Sequence, residues 1–539
     1  MGFHNKITTQ DSVKSIISHQ SSTESSASYT CCGIRIIGND NKVNSTEENS
    51  TEATTRSNIF QQIFLYVLAI SAFLPCGASL AWSSNFLFSH WNDEQLLSTS
   101  TSWMVASLPF SAAVASLLSF KMCHIIGTRR LIILSTVIMS LSWQLILLQR
   151  SLIQCDYLLY AARIFGGFGL GSIMLTIPKY MQDLLPSSHK NFIYKSLQSA
   201  VIFGAMIEYV ANDIYEISTI LMIIFPIFAV LGFAFFPESP QTLVHQQNYA
   251  KARKILQVWL AEKEENEIMS KMQSWSIAEQ RGGGDGALRV MFKSRSWVET
   301  LVPLFGLVIF EALLGVMAIM FYLKPIVFAI DSDGFLPISC QLIAICAAML
   351  LGMHLKPLLC CHLNAKSQLL FGITIIFLNF GLLGTFYHTT NLGITALRDN
   401  LPYLPVVCFT AIGMTYTCSI TSGIQTYLKT LTLPHTRFAC RATSHAIAWL
   451  ITGILCAELS HVIWYIGVGW LFYNMAIISV FMMCFVLLLL PRLIKDVMVI
   501  DVASDGSEIS TSDAASEHSK ISNTASTSTD ITMENVLVV

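Results

Sequence analysis

The chain has 539 residues, of which 53% are hydrophobic and only 12% are charged. Soluble domains carry about 25% charged residues, so this composition predicts many membrane-spanning helices and excludes one large soluble core. The net charge of −2 gives no indication of a nucleic-acid partner. The 14 cysteines form no C-x-x-C pair and lie mostly in apolar segments or predicted cytoplasmic loops, so we expect no metal site, no disulfide framework and no cofactor.

Twelve apolar runs are expected to cross the membrane, which predicts an all-α membrane protein. The Ser- and Thr-rich tails 1–57 and 496–539 are expected to be disordered. The polar segment 244–299, with short helices, separates six-helix halves at 58–243 and 300–495. The predicted spans 1 to 12 lie at about 60–84, 101–120, 131–149, 163–183, 192–211, 218–236, 301–322, 337–358, 368–387, 402–425, 440–459 and 463–490.

The charges of the loops predict the orientation of the chain. Lys and Arg cluster in the loops that follow spans 2, 4, 6, 8 and 10, whereas the opposite loops carry acids such as Asp93, Glu94 and Asp213. Loops that are rich in basic residues face the cytoplasm. Both tails are therefore expected to lie in the cytoplasm.

Span 1 ends in the segment GASLAWSSN, from Gly77 to Asn85. In one interpretation, Trp82 and Ser84 line a cavity for a solute. In the other, Trp82 is an interfacial aromatic residue and the serines bond to the backbone of their own helix. Span 1 contains no Asp or Glu.

The loop between spans 2 and 3 is short and basic, with the sequence KMCHIIGTRR from Lys121 to Arg130. In a functional interpretation, Arg129 and Arg130 pair with acidic groups at helix ends on the cytoplasmic side and hold a gate closed. In a simpler interpretation, these arginines only fix the orientation of the chain in the membrane. The two effects are compatible, and we expect both.

Span 4 has the densest group of small residues in the chain, RIFGGFGLGSIMLTIPKYMQD from Arg163 to Asp183. Small residues at this density allow helix backbones to approach closely inside a membrane. An unpaired arginine in an apolar helix costs about 2.5–3.5 kcal/mol, so Arg163 should have a carbonyl, acidic or water partner. Glu208 in span 5 is the candidate partner.

Spans 5 and 6 add one polar candidate each. Gln198 in span 5 can donate and accept hydrogen bonds, so it can serve a solute hydroxyl or join two helices. Span 6 is followed by Pro237-Glu238-Ser239-Pro240. The Glu238 carboxylate is expected to meet Arg129 at the cytoplasmic face.

The chain resembles the sugar-porter family of the major facilitator superfamily in two stretches. The first is the R-x-x-x-G-x-G-x-G pattern that begins at Arg163, followed by Pro178, Tyr180 and Asp183, and the second is the P-E-S-P segment. Span 1 is most similar to insect trehalose-type facilitators. The resemblance implies the major facilitator fold, a monomer in the plasma membrane, and facilitated transport of trehalose or a hexose by alternating access. Proton-coupled members usually carry an Asp in span 1, so its absence here favours uniport.

The resemblance also implies the site residues. In span 5, Gln198 matches a glutamine that binds sugar in the family, and Glu311 in span 7 stands where the family has another glutamine. Further candidates at the solute site are Trp82, Ser84, Gln341 and Trp449, and the cytoplasmic gate is expected to comprise Arg129, Arg130, Asp183, Glu238 and Arg437. Span 7 departs from the family because Ala312, Leu314 and Met317 replace polar residues, and span 10 lacks the family's tryptophan.

These departures leave two alternatives to sugar transport. Glu311, beside the apolar wall of Ala312 and Met317, is compatible with a cationic or amphipathic solute. The lost sugar ligands are also compatible with a receptor-like protein that keeps the fold but does not transport. An enzyme is not expected, because the sequence has no nucleophile–base pair, metal-ligand pattern or phosphate-binding loop. The expected partners are the lipid bilayer and a small solute.

Overall fold

The computed structural model describes residues 45–89, 99–152, 155–211, 215–260, 262–281, 295–329, 336–359, 363–394, 396–432 and 436–490. Within these ranges, all regular secondary structure is helical. The helices are α1 (Ser45–Ser89), α2 (Thr99–Ile125), α3 (Thr128–Ser151), α4 (Asp156–Leu184), α5 (Lys190–Val210), α6 (Tyr215–Phe235), α7 (Pro240–His245), α8 (Tyr249–Trp259), α9 (Glu262–Arg281), α10 (Arg295–Leu313), α11 (Val316–Phe328), α12 (Ile338–Leu359), α13 (Ala365–Asn391), α14 (Ala396–Asn400), α15 (Leu404–Thr415), α16 (Thr421–Leu431), α17 (Arg437–Tyr465) and α18 (Val468–Cys484). Contacts divide the chain into two units, Met1–Ser57 and Asn58–Val539.

Eleven stretches of the described residues are long and apolar enough to cross a membrane. They belong to α1, α2, α3, α4, α6, the joined α10 and α11, α12, α13, the joined α15 and α16, α17, and α18. Helix α5 completes the twelve predicted spans, because its 21 residues reach about 31 Å and a hydrocarbon core is about 30 Å thick. Lys195, Gln198 and Glu208 make α5 more polar than the other spans. The predicted all-α membrane fold is confirmed.

The structure differs from the predicted boundaries at three places. Helix α1 begins at Ser45, inside the tail that was expected to be disordered, and Glu47 and Glu48 favour this start because they complement the positive end of the helix dipole. Span 7 is divided into α10 and α11, and a π-helical segment, Tyr416–Ile420, interrupts span 10. The predictions for 1–44, 282–294 and 491–539 lie outside the described residues.

The glycines of α4 bring its backbone against α2 and α3, as the density of small residues predicted. A Cβ atom at Gly167 would lie 2.1 Å from the carbonyl oxygen of Leu108, and one at Gly171 would lie 2.3 Å from that of Ala112. Both distances are far below van der Waals contact, so no side chain fits at either position. On its other side, Gly169 touches Met139 of α3.

Helices α1 and α5 also cross backbone against backbone. A Cβ at Gly77 would lie 1.7 Å from the carbonyl oxygen of Val201, and a Cβ at Gly204 would lie 2.0 Å from that of Leu74. Each helix thus supplies one glycine to the crossing. The crossing fixes α5, the most polar span, beside the end of α1 that carries Trp82 and Ser84.

Packing between helices joins the halves of the bundle. Helix α2 packs against α17, and α5 packs against α12, so each pair has one member from each half. A hydrogen bond of 2.6 Å from the Tyr209 hydroxyl in α5 to the carbonyl oxygen of Met320 in α11 also joins them. In transporters built from two repeats, the solute site lies between the halves near the middle of the membrane.

Candidate functional site

The contact predicted between Arg129 and Glu238 is present. The backbone N–H of Arg129 donates to Glu238 Oε1 at 2.7 Å, and Arg129 Nε lies 3.9 Å from Glu238 Oε2. Arg129 Nη1 also donates to the carbonyl oxygens of Ala234 and Phe236 at the end of α6, at 3.2 and 2.8 Å. The conformation of Gly127, with φ of 101°, turns the chain so that the start of α3 faces the carboxylate.

Asp183 lies beside this ion pair. The Ser239 hydroxyl donates to Asp183 Oδ2 at 2.5 Å, and Lys179 Nζ lies 3.6 Å from the same oxygen. The Tyr180 hydroxyl donates to the carbonyl oxygen of Pro237 at 2.6 Å. We call Arg129, Asp183, Glu238 and Ser239 the Glu238 cluster; it ties α3 and α4 to the segment after α6.

The other two predicted gate arginines lie outside the Glu238 cluster. Arg130 is exposed. Arg437 donates to the carbonyl oxygens of Lys429 and Thr432, at 3.1 and 3.3 Å, so its hydrogen bonds stay within the second half. His245, at the end of α7, has a pKa below its ordinary value because it is buried and lies near Lys179. It is therefore neutral at pH 7 and adds no charge beside the Glu238 cluster.

The predicted ion pair of Arg163 with Glu208 is not formed, and that prediction is wrong for this structure. Arg163 Nη1 donates to the carbonyl oxygen of Ser79 at 2.9 Å, and Nη2 donates to the hydroxyl of Ser83. The guanidinium also lies over the Trp82 ring, 5.1 Å from its centroid. A carbonyl, a hydroxyl and an aromatic face of α1 therefore serve this buried cation.

Glu208 instead belongs to a group of polar residues that crosses between the halves. Lys324 Nζ of α11 donates to Asn85 Oδ1 at 3.0 Å, and the backbone N–H of Lys324 donates to the Ser84 hydroxyl at 2.7 Å. Asn85 Nδ2 donates to the carbonyl oxygen of Glu208 at 2.6 Å, and the Glu208 carboxylate accepts from Ser218 at 3.2 Å. We call Ser84, Asn85, Glu208 and Lys324 the Lys324 cluster; all four are buried.

Glu311 lies where two interrupted spans meet. The Tyr416 hydroxyl donates to Glu311 Oε1 at 3.1 Å, and the Thr421 hydroxyl donates to the same oxygen at 3.4 Å. Tyr416 begins the π-helical segment of span 10, and Glu311 precedes the break of span 7 at Gly315, whose φ is 70°. In transporters, interrupted helices at the middle of the membrane commonly mark the solute site.

The remaining solute-site candidates have different surroundings. Trp82 stacks on Phe86 with ring centroids 5.1 Å apart, and Ser84 accepts from Lys324, so both have structural partners. Gln341 is buried and donates to the carbonyl oxygen of Leu336 at 3.0 Å. Gln198 is half-buried on α5, and Trp449 is buried on α17. Within the described residues, no hydrogen bond joins Gln198, Glu311 and Trp449 to one another.

Sequence reasoning missed a further contact between the halves. Arg441 of α17 lies over the ring of Tyr194 in α5, 4.7 Å from its centroid, and Arg441 Nη1 donates to the Tyr194 hydroxyl. Gln182 at the end of α4 donates to the same hydroxyl. An arginine in the apolar run of span 11, four residues after Arg437, was the signal that could have found this contact.

Comparisons with known proteins show the family to which the chain belongs. The family model described as "Sugar (and other) transporter" matches residues 39–496. The chain belongs to the sugar (and other) transporter family. Its members are transporters and not enzymes. The chain is therefore a multi-pass membrane protein of this family.

Relatives and solved structures of the family support the same assignment. The chain is 22% identical to the facilitated trehalose transporter Tret1 of Polypedilum vanderplanki over 482 residues, which cover 87% of this chain and 92% of the relative. It is 22% identical to Tret1 of Bombyx mori and 23% identical to the glucose transporter GlcP of Staphylococcus epidermidis, but it spans only 59% and 54% of their lengths. The structure of the proton:xylose symporter XylE matches with a TM-score of 0.65 at 16% identity, covering 80% of this chain and 97% of that one, which establishes the shared major facilitator fold.

Proposed function

We propose that the protein is a facilitative sugar transporter that moves trehalose or a hexose by alternating access. Membership of the family and its trehalose- and glucose-transporting relatives support the solute class. The observation that carries the mechanism is a pair of polar contacts between the halves, Lys324 with Asn85 and Arg441 with Tyr194. These contacts lie at opposite ends of the spans, so breaking one while keeping the other opens the pathway to one side at a time.

The Glu238 cluster is proposed to hold the first half together while the halves move. Its ion pair and hydrogen bonds join three helix ends through Arg129, Asp183 and Glu238. Partly buried, charge-assisted bonds of this kind are stronger than exposed surface pairs. Arg130 and Arg437 are proposed to act with the cluster only in another state of the transport cycle, because neither contacts it here.

The solute is proposed to bind near Glu311, between the interruptions of spans 7 and 10. The Glu311 carboxylate accepts from Tyr416 and Thr421 and is well suited to accept from a sugar hydroxyl as well. Gln198 and Trp449, which lie on helices that join the halves, are proposed to complete the site. Ala312 and Met317 offer apolar contact where the family offers polar groups.

Uniport, a location in the plasma membrane, cytoplasmic tails and a monomeric state belong to the same proposal. Span 1 carries no carboxylate that could take up a proton opposite Arg163, which supports uncoupled transport. The distribution of basic loops supports cytoplasmic tails.

Uptake of labelled trehalose and glucose tests this proposal. Cells that display the protein at their surface are compared, at two external pH values, with cells that display Glu311→Ala at the same level. We expect saturable uptake that is independent of pH and reduced in the variant. Absence of sugar uptake by the displayed wild-type protein would overturn the proposal and leave the receptor-like alternative. A cationic solute, which Glu311 favours, is the second candidate, and it predicts uptake of organic cations that Glu311→Gln abolishes.

A further inference from the structure

Arg441 is a buried cation with unused hydrogen-bonding capacity. Arg441 is only 5% exposed. Among the described residues, only its Nη1 atom has a hydrogen-bond acceptor, which is the Tyr194 hydroxyl. Nε and Nη2 are buried and have no acceptor there. Membrane proteins rarely bury an arginine in this condition, because a guanidinium that loses water without gaining acceptors is energetically costly.

The two unused donors lie on the same edge of the guanidinium. The N–H groups of Nε and Nη2 point in parallel, and this edge is the one with which arginine binds a carboxylate or phosphate through two hydrogen bonds. A third donor lies close by on the same helix, because Ser444 follows Arg441 by three residues and so shares its face. The Ser444 hydroxyl is also buried without a partner among the described residues.

A second cation lies near the tyrosine ring that Arg441 covers. Lys429 Nζ lies 6.0 Å from the centroid of the same Tyr194 ring that Arg441 covers. No carboxylate lies at ion-pairing distance from Arg441 in the part of the chain that the structure describes. His445 follows Arg441 by one turn and can add a further donor. An anion at this edge would therefore meet attraction without a competing acid.

The position of Arg441 makes a passing solute the occupant that fits. Arg441 lies on α17 and Tyr194 on α5, so the edge belongs to the boundary between the halves, where solutes pass in this fold. Trp449, a proposed solute contact, lies two turns further along α17, about 12 Å away along its axis.

We propose that Arg441, with Ser444, binds an oxyanion group, carboxylate or phosphate, on a sugar-like solute. This inference rests on the proposed transport function and extends its solute class to sugars that carry an acidic group. It is opposite in sign to the cationic alternative at Glu311.

Binding to the purified full-length protein tests the inference. We would measure the affinities of glucuronate, glucose 6-phosphate, inorganic phosphate and glucose by calorimetry at constant ionic strength. The variants are Arg441→Gln, which removes the charge, Arg441→Lys, which keeps the charge but loses the two-donor edge, and Arg150→Gln, an exposed arginine at the end of α3, as the control.

We expect one of the two acidic sugars to bind the wild-type protein about tenfold or more tightly than it binds Arg441→Gln, because two charge-assisted bonds are lost. Arg441→Lys should fall between them, and Arg150→Gln should match the wild type. The ratio of acidic-sugar affinity to glucose affinity should fall in Arg441→Gln and stay at the wild-type value in Arg150→Gln, because a change of gating through the contact with Tyr194 alters both affinities together.

Three results would overturn the inference. Acidic sugars could bind no better than glucose, they could bind Arg441→Gln as well as the wild type, or inorganic phosphate alone could bind as tightly as glucose 6-phosphate, which would assign the edge to a free anion. If Arg441→Gln does not fold, the wild-type comparison of acidic sugars with glucose and with phosphate still decides. Glucose binding without acidic-sugar binding would reject this inference and leave the proposed function intact, whereas absence of binding by every sugar would reject both.

Discussion

Lys324 of the seventh span donates a hydrogen bond of 3.0 Å to Asn85 of the first span. The Asn85 side chain in turn donates a hydrogen bond of 2.6 Å to the carbonyl oxygen of Glu208 in the fifth span. The Lys324 ammonium also lies over the Phe88 ring, 4.6 Å from its centroid. One buried cation thus links both halves at the end of the bundle opposite the Glu238 cluster.

Replacing Lys324 should destabilise the conformation in which the two halves are joined through Lys324 and Asn85, which we call the closed conformation. Lys324→Ala removes a charge-assisted bond, which is worth about 1.5–3 kcal/mol, so the closed population should fall by about tenfold or more. We expect a lower maximal rate of solute uptake at an unchanged level of surface protein. Arg398→Ala, a basic residue of α14, is the control. Equal rates in the wild type and Lys324→Ala would contradict a gating role.

Arg163 and Glu208 should behave as independent residues. Arg163→Leu removes bonds to Ser79 and Ser83 and should lower the free energy of unfolding by about 2–3 kcal/mol. The Glu208 carboxylate accepts from Ser218 and not from Arg163. The change in the free energy of unfolding in the double variant with Glu208→Gln should therefore equal the sum of the two single changes to within about 0.5 kcal/mol. The measurement is a double-mutant cycle on thermal or denaturant unfolding in detergent. The matched control is a second cycle with Ser83→Ala and Arg163→Leu. Because these two residues are in contact, its interaction free energy should exceed about 0.5 kcal/mol.

Gly77→Ala should destabilise the protein severely. The added Cβ would fall on the carbonyl oxygen of Val201, and overpacking of this kind typically costs about 1–3 kcal/mol or more because two helices must separate. Gly381→Ala is the matched control, since a Cβ there would meet no described atom within 4 Å. The yield of monodisperse protein and its melting temperature report both effects. A Gly77→Ala protein as stable as Gly381→Ala would show that α1 and α5 cross differently.

Replacing Glu238 should lower uptake and stability more than replacing an exposed carboxylate does. Glu238→Ala removes the acceptor for the backbone of Arg129 and the counter-charge of its side chain, and we expect slower uptake together with lower stability. Glu238→Gln keeps one acceptor oxygen and should have a smaller effect. Glu267→Ala, which breaks the exposed pair of Glu267 with Lys271, is the control and should change stability by less than about 0.5 kcal/mol. An equally small effect of Glu238→Ala would remove the cluster from the mechanism.

The role of Glu311 depends on whether its charge or its oxygen atoms are used. Glu311→Gln keeps an oxygen that can accept from Tyr416 and Thr421, so uptake of a neutral sugar should persist within a few-fold. Glu311→Ala removes both acceptor oxygens and should reduce uptake more strongly than Glu311→Gln does. Initial rates for a neutral sugar and an organic cation separate the two cases. Loss of sugar uptake in Glu311→Gln, with folding intact, would mean that the negative charge itself is required.

Local sequence patterns predicted the scaffold well. The glycines of span 4 predicted close helix packing because small residues have this effect in any apolar surroundings. The contact of Arg129 with Glu238 was predictable because two charged residues followed span ends on the same side of the membrane. The break at Gly315 was not predicted, because a single glycine in an apolar run is tolerated within a continuous membrane helix.

The contacts between the halves depend on tertiary structure, which the sequence does not display. Arg163 and Glu208 looked complementary, but the fold brings the carbonyl of Ser79 and the hydroxyl of Ser83 to Arg163 first. Lys324 follows the predicted end of span 7 by two residues, and its bond to Asn85 depends on how α1 and α11 pack together. Arg441 became informative only when the lack of acceptors around its guanidinium was visible.

The interruption of the seventh span divides it into two mechanical segments. A continuous helix transmits a tilt or rotation along its whole length through its ladder of backbone bonds. That ladder is interrupted at Gly315, whose N–H bonds to the carbonyl oxygen of Ala312 instead of that of Glu311. The segment with Lys324 can therefore change its tilt while the segment with Glu311 remains against span 10. The two segments of a single span can thus open or close the solute pathway separately at the two faces of the membrane.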